Sequence, residues 1–193
     1  MKTIALALIF LMNSTPQCLK VDLLLIGDMS PSVDGNQKQM AQAFSEFINK
    51  YELSDDGIRM GIVTFNSGAR TNCALTSDKK KLIRCSDSIA TQRTAGNTYM
   101  EEAFNTALDQ FSSNIRRNAK RMMIVVSDGA VDHDMLCLMI AKSIKNNGIK
   151  ICSVLILDNT PRPDFMKDIS SDCYLETDYG SLHDEMAKLN VCI

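Results

Sequence analysis

The sequence predicts an open, mostly parallel α/β sheet with helices on both faces. Apolar strand-like runs alternate with amphipathic helical segments along the whole chain. Several of those runs are apolar at nearly every position, as strands covered on both faces must be. Two of them end abruptly in aspartate, at Asp28 and Asp128.

The elements follow in order. "VDLLLIG" (21–27) is a near-continuous apolar run and reads as a buried strand. "NQKQMAQAFSEFINKY" (36–51) places Met40, Phe44, Phe47, Ile48 and Tyr51 on one helical face. "SDDG" breaks the chain before "IRMGIVTFN" (58–66), a second strand. "SG" turns the chain into "ARTNCALT" (69–76), read as an antiparallel edge strand, and a charged helix covers about 78–89. From Thr98 to Ser112, Met100, Ala103, Phe104, Ala107, Leu108 and Phe111 share a face. "RMMIVVS" (121–127) is a strand, 134–147 a helix and "IKICSVLI" (149–156) another strand. A loop with Pro161 and Pro163 leads to a short helix. "CYLET" (173–177) is the last strand and "SLHDEMAKLN" the last helix, with Ser181 as its cap and Asp184 at the third position. No repeat or interdomain linker interrupts this pattern.

Residues 1–17 combine one lysine, the apolar run "IALALIFLM" and a polar end, the form of a secretory signal peptide with cleavage expected between Ser14 and Gln17. The competing reading is a buried first strand or helix. The run falls short of the roughly 20 apolar residues of a membrane span. The remainder, 18–193, is expected to be one secreted domain. Its formal charge is −3 once Lys2 is removed from the chain's −2. That balance gives no sign of a nucleic-acid partner.

Seven cysteines follow the leader: Cys18, Cys73, Cys85, Cys137, Cys152, Cys173 and Cys192. An exported chain with this many cysteines is expected to form disulfides, and the odd count leaves one thiol free or available to a second chain. Cys18 and Cys192 bracket the domain. A bond between them closes about 175 residues, worth up to roughly 5 kcal/mol in the chain-entropy model. Cys73 and Cys85 are spaced to clip a strand to the next helix. Cys152, inside an apolar strand, is expected to be the unpaired thiol, with Cys137–Cys173 as the third bond.

Function should lie at the carboxyl edge of such a sheet, where strand order reverses. "LLLIGDMSPS" (23–32) ends the first strand in Asp28, with Ser30 and Ser32 at alternate positions. Alternate residues of an extended turn face the same way. Thr98 opens a helix after "RTAGN", and "VVSDG" ends another strand in Asp128. Three loops thus offer two carboxylates and three hydroxyls: Asp28, Ser30, Ser32, Thr98 and Asp128. All are hard oxygen donors, which favours Mg2+, Mn2+ or Ca2+ over zinc or copper. Two carboxylates cancel a dication's charge, and the neutral hydroxyls leave it electrophilic toward a carboxylate from outside.

DxSxS closing the first strand, G-x-T before a helix ("AGNTYMEEAF") and a strand ending in "SDG" together resemble the von Willebrand factor type A domain, the module of integrin inserted domains and matrilins. "GIVTFNSGAR", "GIKICSVLILDN" and "CYLETDYGSLHDEMAKLNVCI" are similar to its second-strand hairpin, fifth strand and final strand–helix. The resemblance covers nearly all of the chain after its leader. It implies a doubly wound, Rossmann-like sheet of six strands, order 3-2-1-4-5-6, with strand 3 antiparallel and Asp28 beside Asp128. It also implies a metal-ion-dependent adhesion site at Asp28, Ser30, Ser32, Thr98 and Asp128, and cysteines linking the two ends of the domain. Pro31 stands where the family commonly has glycine, and Met100 where it often has a second threonine.

The resulting expectation is an extracellular adhesion module, not an enzyme, whose cation captures an acidic group of a protein partner. Loops 29–35, 94–100, 129–135 and 157–163 would select that partner, with Met29, Pro31, Tyr99, Met100 and Asp132 as ligand contacts and Met135 nearby. The alternative is a structural extracellular protein that binds or self-associates without metal. A hydrolase reading of Ser30, Asp128 and His133 or His183 lacks the G-x-S-x-G elbow. "RTAGNT" lacks the pattern of a phosphate loop. Most of the twelve methionines fall at core positions.

Overall fold

The computed structural model describes residues 20–158 and 161–191. The leader region, Cys18 and Cys192 lie outside them, so neither the signal peptide nor the end-to-end disulfide is tested. Six strands form one sheet: β1 (Val21–Asp28), β2 (Ile58–Phe65), β3 (Ala69–Thr76), β4 (Lys120–Ser127), β5 (Lys150–Ile156) and β6 (Cys173–Thr177). Their order is β3-β2-β1-β4-β5-β6. All neighbours are parallel except β2 and β3, which the short "SG" turn forces to run antiparallel. The expected order and the antiparallel third strand are both found.

Among the described residues six α-helices cover the sheet: α1 (Gln37–Asn49), α2 (Lys79–Asp87), α3 (Met100–Ser113), α4 (Asp134–Asn146), α5 (Pro163–Ile169) and α6 (Leu182–Lys188). The near-continuous apolar run of β1 now has its explanation. Leu23 and Leu25 join a core built with α1, α2 and α6, whereas Leu24 and Ile26 point to the opposite core, built with α3, α4 and α5. A strand sandwiched between two helix layers has no face left for water. Gly27, just before the terminal carboxylate, lets α1 approach closely, since a Cβ there would sit 2.5 Å from Met40 Sδ.

Two element ends differ from expectation. Thr98 precedes α3 instead of opening it, because its backbone is tied to a neighbouring loop, as described below. Ser181 makes no side-chain cap on α6. Asp178 Oδ1 instead accepts the Ser181 N–H at 2.8 Å, so the capping group comes from before the predicted position.

The disulfide expectations are corrected. Cys152 is paired with Cys173. These residues are register partners on adjacent strands β5 and β6, with Cα atoms 4.7 Å apart. Cys137 could not replace Cys152, because it lies on α4 in the core on the other side of the sheet. It is a free, buried thiol. Cys73 and Cys85 do not form the predicted clip; both are thiols, hydrogen-bonded to each other. Burial, with help from Cys85, pushes the Cys73 thiol up to about 12, and a thiol held protonated is a poor nucleophile for disulfide formation.

Candidate functional site

The site begins where β1 and β4 end together. Gly27 is in register with Val126, so Asp28 and Ser127 are the next pair outward. Ser127 Oγ donates to Asp28 Oδ2 at 2.7 Å, and the Ser30 N–H donates to Asp28 Oδ1 at 2.8 Å. Asp28 is completely buried. Burial pushes its carboxyl up, the hydrogen bonds from Ser127 and Ser30 oppose the rise and the charge of Asp128 adds to it, which leaves the group at about 6.

Ser30 is extended, and Pro31–Val33 form a short 3-10 turn with proline at its first position. Proline suits that position, where its missing N–H goes unneeded. The loop is therefore not extended as far as Ser32. The hydroxyls of Ser30 and Ser32 nevertheless come to 3.0 Å of each other. The chain after β1 is pinned by Met29 N–H to the Phe65 carbonyl at 2.7 Å and by Ala95 N–H to the Met29 carbonyl at 3.3 Å.

Asp128 sits after β4, and its Oδ1 accepts the Ala130 N–H at 3.0 Å. Gly129 follows with φ of +77°, and a Cβ there would lie 2.8 Å from Met166 Cγ and 3.2 Å from the Arg162 carbonyl. Both the left-handed backbone and the crowding call for glycine. The Arg162 N–H in turn donates to the Asp128 carbonyl at 2.8 Å. Asp128 Oδ2 is buried and has no hydrogen-bond partner among the described residues. Glu101 Oε2, in the first turn of α3, is likewise buried without one.

Thr98 is delivered by a third loop, which is bolted down on both sides. Asn97 N–H donates to Ser67 Oγ at 2.7 Å, and Tyr99 N–H to the Asn66 carbonyl at 2.9 Å. On the other side, Asp132 bonds Thr98 through both side chain and backbone. The Tyr99 ring stacks on His133 with centroids 4.7 Å apart, and His133 Nδ1 donates to Glu101 Oε1. That carboxylate raises the His133 imidazole above its usual range.

The expected ligand contacts divide accordingly. Pro31 and Asp132 are exposed and Tyr99 is half-buried. Met29 and Met100 are corrected: both are fully buried core residues. Met29 turns into the α1 side of the core, and Met100 is at an inward position of α3. The hydrolase alternative gains no support, since His133 is engaged by Glu101 and Tyr99, and His183 lies on α6.

Sequence reading missed three participants. Ser127 was visible in "VVSDG" as a polar residue ending an apolar strand, one place before Asp128. Asp132 reads in the sequence as a ligand contact, whereas the structure makes it a support for Thr98. Tyr179 carried no signal; it is buried in the loop after β6, where burial and then the charges of Asp28, Asp128 and Asp158 drive its phenol well above the ordinary value.

This architecture has a family. The chain belongs to the von Willebrand factor type A domains, whose family model matches residues 22–187. A human relative, the collagen alpha-5(VI) chain, is 25% identical over 163 residues, spanning 80% of this chain and 6% of that one. Proximal thread matrix protein 1 from the mussel byssus shares the fold with a TM-score of 0.78 at 18% identity, over 89% of this chain and 45% of that one. A second structure of that mussel protein, with a zinc-occupied MIDAS motif, superposes with a TM-score of 0.76 at 17% identity, over 89% of this chain and 45% of that one. Manganese-loaded TRAP protein of Plasmodium vivax superposes with a TM-score of 0.70 at 21% identity, over 88% of this chain and 72% of that one. This chain therefore spans a small part of the collagen relative and under half of the mussel protein.

Proposed function

We propose that this chain is a secreted adhesion module, not an enzyme, in which Asp28, Ser30, Ser32, Thr98 and Asp128 hold a divalent cation that binds an acidic group of an extracellular protein. The observation that carries this reading is Asp128 Oδ2, a buried carboxylate oxygen with no donor, on the residue whose charge bears on buried Asp28. Leaving such an oxygen unmatched is costly, and a cation removes the cost. The donor set fits: oxygen ligands only, with two carboxylates to balance the charge.

Bound there, the cation supplies Lewis acidity toward an external carboxylate. The chain's own residues do the rest. Ser127 and the Ser30 amide orient Asp28. The 3-10 turn brings the two serine hydroxyls together. Asp132 holds Thr98 in place. Hard oxygen donors favour Mg2+ or Mn2+, with Ca2+ as the larger alternative. The zinc-occupied MIDAS motif of the mussel byssus protein and the manganese-loaded TRAP protein, both of the same fold, support the reading.

Isothermal calorimetry with Mg2+ and Mn2+ tests it. Wild type should bind one cation, and Asp128→Ala should abolish binding while circular dichroism shows the fold retained. Unchanged affinity in the variant would reject the assignment of Asp128. A metal-independent structural role would appear as partner capture that is indifferent to EDTA.

A further inference from the structure

We propose that Met135, Leu136 and Met139, at the start of α4, form the second half of the partner-binding surface. They would take an aliphatic or aromatic side chain lying close in sequence to the partner's carboxylate. This rests on the metal-dependent reading above and specifies the partner's chemistry.

Helix α4 buries Cys137, Ala141 and Ile144, and Met135 and Met139, four residues apart, share the opposite side. Their exposures are 72% and 66%, with Leu136 at 47%. Leu157, after β5, is another large apolar residue exposed at this end of the sheet, at 47%. Elsewhere among the described residues, only Ile115 is a comparably exposed large apolar side chain. Exposed apolar residues gathered in one place mark interaction sites more often than scattered ones do.

Two features indicate what covers the ledge. It is continuous with the candidate metal edge: Asp132, His133, Asp134, Met135 and Leu136 line one open depression of about 480 Å³. Asp132 is also the residue bonded to Thr98. Moreover, the charges around the depression have partners within the chain. Asp132 accepts from the Thr98 amide, His133 pairs with Glu101 and Asp134 with Arg162. With those polar groups hydrogen-bonded or ion-paired within the chain, the distinctive surface on offer is thioether and aliphatic. Methionine adapts to side chains of varied shape.

A second copy of the chain is a poorer occupant. Three side chains expose on the order of a few hundred Å², against roughly 800 Å² per partner in a stable interface. A ledge of this size suits a partner already anchored elsewhere, by its carboxylate at the cation.

The test uses the full chain, labelled with 13C at its methionine methyl groups, in saturating Mg2+. Two synthetic heptapeptides serve as probes, each with one glutamate; one carries two leucines beside it and the other two serines. The leucine peptide should bind wild type about ten-fold more tightly or better, and should move methyl signals that disappear in Met135→Ser and Met139→Ser. The double variant, altered at solvent-facing positions, should keep its Mg2+ affinity and bind both peptides equally. Equal binding of the two peptides by Mg2+-loaded wild type overturns the proposal, as does a leucine preference that survives in the double variant. Sedimentation that shows a wild-type dimer converted to monomer by the two substitutions would assign the ledge to a second copy instead. Absence of Mg2+ binding by wild type is a separate result: it rejects the metal reading, and this proposal with it.

Discussion

Asp132 and Thr98 are joined twice. The Thr98 N–H donates to Asp132 Oδ2 at 2.6 Å, and the Asp132 N–H donates to the Thr98 carbonyl at 3.2 Å. This pair ties the loop before α3 to the loop before α4, so the third hydroxyl of the candidate site is placed by a residue from a different part of the chain.

Asp132→Ala should therefore weaken Mg2+ binding about ten- to hundred-fold, the usual cost of losing a group that orients a ligand. Asp132→Asn retains an acceptor oxygen and should recover most of the affinity. Calorimetry on both variants checks this; equal losses would mean that the carboxylate's charge, not its hydrogen bond, is what counts.

Asp28 makes the metal-free protein sensitive to pH. Its folded value, about 6, lies above the ordinary 3.8, so the folded state holds the proton more tightly. The stability tied to that proton is complete below about pH 3.8, declines as pH rises, and is lost above about 6; it amounts to about 3 kcal/mol. Asp28→Asn mimics the protonated form. In EDTA at pH 7.5 it should be more stable than wild type, and at pH 4 the gain should largely vanish. Urea titrations at the two pH values decide, and a variant equally stable or weaker at pH 7.5 would contradict the strained state of Asp28.

The cysteine arrangement can be read directly. Under denaturing, non-reducing conditions, alkylation should mark Cys73, Cys85 and Cys137, while Cys152 and Cys173 remain on one linked pair of peptides. In the folded protein Cys73 and Cys137 should both react more slowly with iodoacetamide than half-buried Cys85, because burial above all pushes each of their thiols up to about 12. A peptide linked through Cys137 would contradict the placement of the two cores.

At the far end of β1, buried Asp22 receives Arg59 through Nε at 2.9 Å and Nη2 at 3.1 Å, and Arg116 Nη2 at 2.9 Å. Removing one member of such a cluster leaves poorly hydrated charge behind. Asp22→Ala should cost about 3–5 kcal/mol in denaturant unfolding. Mg2+ affinity should hold, since the candidate site is at the opposite end of the strand.

The sequence by itself determined the alternation of strands and helices, and thereby the placement of Asp28 and Asp128 at strand ends. Apolar periodicity is a local property, and so is the abrupt change from "LLLIG" or "MMIVV" to a carboxylate. Resemblance to a family supplied the strand order in advance. What only the tertiary structure decided were relations between distant segments. Cys152 meets Cys173 because β5 and β6 align in register, whereas Cys137, although nearer to Cys152 along the chain, is separated from both by the sheet itself. Met29 and Met100 turn inward although they flank the site, and Met135 turns outward, because each side chain follows the direction its own backbone takes at a loop or helix start. Asp132 supports Thr98 across 34 residues of chain. Pairings of this kind depend on how elements pack in space, and no short window of sequence contains that information.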